Sequence, residues 1–120
     1  MTAGQVLAQV DNLKPNACTA AQKAGWIAEA EGMIHHEILL KAFEGFGEDA
    51  EEKELVAWAP YEGLYARYVE AMIDYYNGDY TACNNAMAMF NALYHAFGSA
   101  YRRQAEMTGE KVRVEGLSSA

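Results

Sequence analysis

A chain of 120 residues, 52% apolar and 22% charged, has the size and make-up of one globular domain and not of a disordered chain. Such a length buries roughly two-thirds of its unfolded surface on folding, enough for a core without disulfide or metal staples. The formal net charge of −8 disfavours phosphate backbones as direct ligands, because that affinity comes from Lys and Arg displacing counterions.

The N-terminus "MTAGQVLAQVDNLKPN" has neither a basic segment nor a long apolar run, so a signal peptide is not expected and retention in a reducing cytoplasm is. A short helix fits residues 3–12, with Thr2 as its cap and Val6, Leu7 and Val10 on one side. Pro15 holds Lys14 out of the helical region and ends it. Cys18 follows, 65 residues before Cys83 and outside any Cys-x-x-Cys pattern, so two reduced thiols are expected, the second on an apolar helix face.

Thr19 and Gln22 have capping-box spacing and start a second helix. Trp26, Ile27, Ala30, Met33, Ile34 and Ile38 carry its 3–4 periodicity, which extends the prediction to Glu44. The acidic, glycine-containing run "GFGEDAEEKE" reads as a mobile surface loop. "LVAWAP" is either an extended piece across the helices or a turn that delivers Trp58 to the core. Pro60 suits the first turn of a third helix over 61–77, with Tyr61, Leu64, Tyr65, Tyr68, Met72 and Tyr75 at helical spacing.

Asn77-Gly78 closes that helix, because glycine tolerates the left-handed conformation of a helix end, and Asp79 caps the next. In the fourth helix, over 79–107, Tyr80, Cys83, Met87, Phe90, Tyr94, Phe97 and Tyr101 alternate three and four residues apart. A second stripe, Ala86, Met89, Leu93, Ala96 and Ala100, lies on another side. Residues 80–101 hold no Asp, Glu, Lys or Arg. Asn84, Asn85, Asn91 and His95 would be costly in hydrocarbon, so a membrane span is not expected. An ordinary surface helix has a charged face. This one is therefore either central in the domain or covered by another chain. Residues 108–120 are expected to form a tail that frays or holds a short strand at 111–115. The fold class expected is all-α: one domain over 1–107, a bundle of four to five helices containing an antiparallel hairpin.

Candidate chemistry is sparse. In "MIHHEI" the adjacent His35 and His36 point about 100° apart and cannot face one ion. Glu31 and His35, four residues apart, share a face, but Glu-x-x-His occurs nowhere, so neither metal nor cofactor is expected. Of three serines two lie in the tail, and Cys83 sits on the core stripe. Asp74 and Asp79 flank a turn that needs a cap, and capping outweighs paired-acid catalysis there. Eight tyrosines suit either the edge of a small core or a protein–protein contact. Charge is polarised. Residues 29–62 hold ten acids against Lys41 and Lys53, whereas Arg102, Arg103, Lys111 and Arg113 dominate 98–120. A solvated charged loop accounts for this polarity; alternatively, unlike ends suit head-to-tail packing of identical subunits into rings.

The set Pro60-Tyr61, Leu64-Tyr65, Tyr68, Ile73-Asp74, Tyr76, Gly78-Asp79, Asn84, Phe90-Asn91, Tyr94 and Tyr101-Arg102 resembles prophage-encoded head–tail connector (adaptor, or head-completion) proteins. "NLKPN" and the spacing of Trp26, Glu29 and Glu31 look similar too, so the resemblance covers residues 12–103. It implies a non-enzymatic all-α subunit of a ring between portal and tail. DNA would be only the passing content of its channel, and an acidic lining would let DNA slide. The site implied is bacterial cytoplasm during assembly and then the virion, without a membrane. Contacts with neighbouring subunits or partners are expected at Tyr65, Asp74, Tyr76, Asn84, Asn91, Arg102 and Arg103. Cys83, the acidic 45–54 loop and the 108–120 tail depart from the family pattern. The rival readings are a small helical interaction module or regulator, and a ligand-binding or enzymatic bundle built on a tyrosine-rich cleft.

Overall fold

The computed structural model describes residues 1–48 and 50–108 and is all-α, as expected. Helix α1 spans Ala3–Leu13, α2 Ala20–Ile34, α3 Gly63–Tyr76 and α4 Tyr80–Met107. The first two begin at full capping boxes. The Gln5 N–H donates to Thr2 Oγ1 and the Thr2 N–H to Gln5 Oε1, and Thr19 and Gln22 repeat the arrangement. Each box satisfies two amide groups that a helix start leaves without partners.

Helix α3 is the centre of the bundle. It packs against α4 along its length and against α1 and α2 on its other sides. Its buried set, Leu64, Tyr65, Ala66, Val69, Glu70, Ala71, Ile73 and Asp74, wraps more than one face, as a central helix requires. The core joins Val6 and Val10 of α1, Ile27 and Ile34 of α2, Leu64, Val69 and Ile73 of α3, and Phe90 and Phe97 of α4. The linker after α1 is stitched down by two lysines. Lys14 reaches Asp74 of α3 at 2.7 Å, and the buried Lys23 of α2 reaches Asp11 at 2.5 Å and Asn16 at 3.1 Å. The Lys23 ammonium holds the Asp11 carboxyl below its usual value.

The turn between α3 and α4 forms as its residues dictate. Gly78 takes φ +77°, the Asp79 N–H donates to the Asp74 carbonyl and the Gly78 N–H to the Tyr75 carbonyl. These are the two bonds of a Schellman motif. The Asp79 side chain then caps α4 at the Ala82 N–H, 3.1 Å away.

Three local expectations are corrected. The second helix does not run to Glu44. After Ile34 it widens into a π-turn over His35–Leu39 and stops at Leu40, which is left-handed at φ +58°. The turn ends with Ile38 in the core and the Tyr94 hydroxyl bonded to both the Met33 carbonyl and Glu37. Pro60 is not in the first turn of α3. The Tyr61 N–H is held by the Trp58 carbonyl in a turn, and the helix starts at Gly63. The acidic loop is partly tied down. Phe43 packs between His35 and Phe46, and Ala50–Glu52 forms one 3₁₀ turn. Of the two alternatives for α4, a central place in the domain is excluded, because its outer side is exposed and meets no other described element. Residues 109–120 of the tail, with the strand expected at 111–115, lie outside the described residues.

"LVAWAP" combines both alternatives, entering as an extended piece beside the N-terminus and ending in the turn at Ala59-Pro60. Thr2 and Glu54 form an antiparallel bridge, the Leu55 N–H donates to the Met1 carbonyl, and the Ala3 N–H donates to the Lys53 carbonyl. Leu55 and Ala57 point inward, and the Trp58 ring meets Phe97 edge-on at 4.9 Å. The 3₁₀ turn crosses α1 so closely that a Cβ on Gly4 would stand 2.8 Å from the Glu51 carbonyl oxygen. Backbone cannot yield as a flexible side chain does. Gly4→Ala is therefore expected to cost about 1–3 kcal/mol, the range for overpacking, measured by urea unfolding.

Candidate functional site

Three carboxylates near or on α2 each accept a phenol from a facing helix. Glu31, only 2% exposed, accepts the Tyr65 hydroxyl of α3 at 2.5 Å with Oε1 and the Val56 N–H at 2.9 Å with Oε2. The Tyr65 oxygen accepts the Ala57 N–H in turn, at 3.0 Å. Glu29 accepts from Tyr68 of α3 at 2.7 Å, and Glu37 from Tyr94 of α4. The three phenols are pushed up from their ordinary pKa, first by burial and then by the adjacent carboxylates.

The sign of the pH effect follows. A folded pKa above the unfolded value of about 10 means that the contribution is complete below that pH and lost as pH rises above it. Stability is expected to fall steeply in alkali as these phenols come to ionise only on unfolding. An ultraviolet phenolate titration followed alongside circular dichroism checks this. Tyr65, Tyr68 and Tyr94 should then ionise only together with the loss of the helix signal, and their ionisation with that signal intact would contradict it.

Glu31 thus works as an internal fastener. It does share a face with His35, at 3.7 Å, but both of its oxygens are committed to Tyr65 and Val56, while His95 lies on the outer side of α4. Among the described residues no group of three metal-ligating side chains converges, and none of the buried side-chain polar atoms lacks a hydrogen bond. Trp58, Tyr101, Gln104, Ala105 and Thr108 line an open groove of about 270 Å³ that offers no carboxylate or imidazole.

The residues expected at contacts separate into two groups. Tyr65 and Asp74 are interior, held by Glu31 and Ala57 and by Lys14 respectively, so their expected role as contacts is corrected to a structural one. Burial was the deciding property, and helical spacing alone does not say which tyrosine faces inward. Tyr76, Asn84, Asn91, Arg102 and Arg103 are all exposed. Tyr76, 64% exposed, leans on Trp26 at 5.5 Å and continues through Tyr75 to Tyr80 as an aromatic corner. The tyrosines around Gly78 therefore lie outside the core.

The other four belong to α4, where the surface is most unusual. The core stripe faces α3 with Phe90 and Phe97 buried and Met87, Tyr94 and Tyr101 packed beside them. At about 100° per residue, Thr81, Asn85, Ala88, Ala92, His95 and Ser99 share the opposite face, and all six are exposed. Asn84 and Asn91 flank them on one edge, and Ala96 and Met89, the latter 49% exposed, on the other. The face carries no charge until Arg102 and Arg103. No described helix is long and apolar enough to cross a membrane. Compared with protein-family models, with curated proteins and with solved structures, the chain matches none of them.

Proposed function

We propose that the chain is a structural subunit, the head–tail connector of a tailed phage or prophage, which assembles as a ring between portal and tail. The outer face of α4 carries this reading. It is a strip of small and uncharged side chains on a 28-residue helix, where a solvated helix would have a charged face. Such depletion of charge is the compositional mark of an interface core. The exposed Asn84, Asn91, Arg102 and Arg103 border it, and the exposed Arg pair and the acidic 29–62 region are unlike surfaces of the kind a ring joins. The net charge of −8 suits a channel through which DNA passes without adhering.

The test is the composition of particles induced from the host that carries the gene. The chain is expected in purified virions in fixed proportion to the portal protein. Virions that contain portal, capsid and tail proteins but lack the chain would overturn the reading. Recovery bound instead to a cellular protein would favour the rival, a helical interaction module or regulator.

A further inference from the structure

The outer face of α4 reads nearly the same in both directions. Residues equidistant from position 90 are alike: Ala88 and Ala92 nearest the centre, then Asn85 and His95, then Thr81 and Ser99. All six are exposed on one side of the helix, away from α3. We propose that α4 of the free chain pairs antiparallel with α4 of a second copy, about a two-fold axis level with position 90.

A two-fold contact requires a patch that is complementary to itself, and the six seam positions meet the requirement pair by pair. The seam positions alternate four and three residues apart, the spacing of a helix–helix seam. Reflection about position 90 sets each against a partner of matching size. The central layers are Ala88 against Ala92, small enough for the axes to approach to the short end of the usual 8–10 Å. The next layers set the Asn85 amide against the His95 imidazole, a donor–acceptor pair that fixes register, as a polar seam residue does in coiled coils. Thr81 and Ser99 close the seam with hydroxyls on both sides.

Charge selects the direction. Parallel pairing would crowd Arg102 and Arg103 of both chains at one end. Antiparallel pairing moves them apart and brings each pair to the end of the neighbour where the exposed Asp79 stands, within about one residue of the reflected register. It also opposes the two helix dipoles. Along the strip of about 27 Å between Thr81 and Ser99, a second copy is a partner that also presents no charge.

This pairing goes beyond the connector reading. A two-fold contact closes after two chains, while a ring needs unlike surfaces, so the pair is the form of the free chain and ring assembly has to open it.

Sedimentation of the full chain over a concentration series is expected to show a monomer–dimer equilibrium. Ala88→Glu and Ala92→Glu, both at exposed positions, are expected to weaken it at least about 100-fold through like-charge contact in the central layers, with circular dichroism unchanged and thermal unfolding unchanged at concentrations where the parent chain is monomeric. Direction is read by oxidative cross-linking, with Cys18 and Cys83 replaced by alanine. Asn85→Cys mixed with His95→Cys should cross-link, while Asn85→Cys alone should not, because its two copies lie about 15 Å apart along the axis. A chain that stays monomeric at all concentrations, a dimer untouched by Ala92→Glu, or cross-linking of Asn85→Cys with itself would each overturn the proposal. Presence of the chain in virions reports separately on the connector reading.

Discussion

Glu31→Ala is expected to destabilise the fold by roughly 3–5 kcal/mol, a large part of the total for a domain of this size. Removing the carboxylate strands two groups at once, the buried Tyr65 hydroxyl and the part-buried Val56 N–H. Each costs about 1–3 kcal/mol when left without a partner, and a cavity is added between α2 and α3. The extended segment loses its central tie as well, because the Tyr65 oxygen that receives the Ala57 N–H is no longer positioned. Glu31→Gln keeps the length and a carbonyl acceptor and should cost about half as much or less. Denaturant unfolding of the three proteins checks the order. A loss under 1 kcal/mol for the alanine variant would show that the fastener is not needed.

Phe97→Ala is expected to cost about 3–5 kcal/mol, the usual range for a fully buried aromatic. Phe97 is wholly inaccessible and touches Trp58, Tyr61 and Tyr101, with ring centroids at 4.9, 6.1 and 6.3 Å. The substitution should also release Trp58 and change its fluorescence in the folded protein. Tyr80→Ala is the contrast within the same stripe. Tyr80 is 60% exposed and its ring lies beside the similarly exposed Tyr75, so a loss within about 0.5 kcal/mol is expected. Equal losses at the two positions would contradict the placement of α4.

These residues also mark how far the sequence could be read. Helix starts are local events, and Thr2, Thr19 and Asp79 carry their own chemistry, so the caps and the Gly78 turn were legible without knowing the packing. The end of α2 was not. Its apolar periodicity runs through Ile38 and beyond, and the partners that hold the π-turn, among them Tyr94 at Met33 and Glu37, are distant in sequence. Helix α4 shows the same limit. Its lack of charge pointed to cover on several sides, but whether another element supplied it was a tertiary question, and α3 took the centre instead. Tyr65 and Asp74 looked like contact residues because helical spacing does not separate a buried polar side chain from an exposed one. Glu31 left a trace that can be read in retrospect. It interrupts the stripe of Ile27, Ala30, Ile34 and Ile38, and an acid in such a stripe needs buried donors. Gly4 left none, since the 3₁₀ turn that crosses it comes from a distant segment.

Native mass spectrometry of the chain mixed with the portal protein of the same genome tests the connector assignment most directly. The predicted result is one closed species holding several copies of the chain on each portal ring, lost when Ala92 is replaced by Glu. Unchanged masses for both proteins, or a complex indifferent to that substitution, would contradict it.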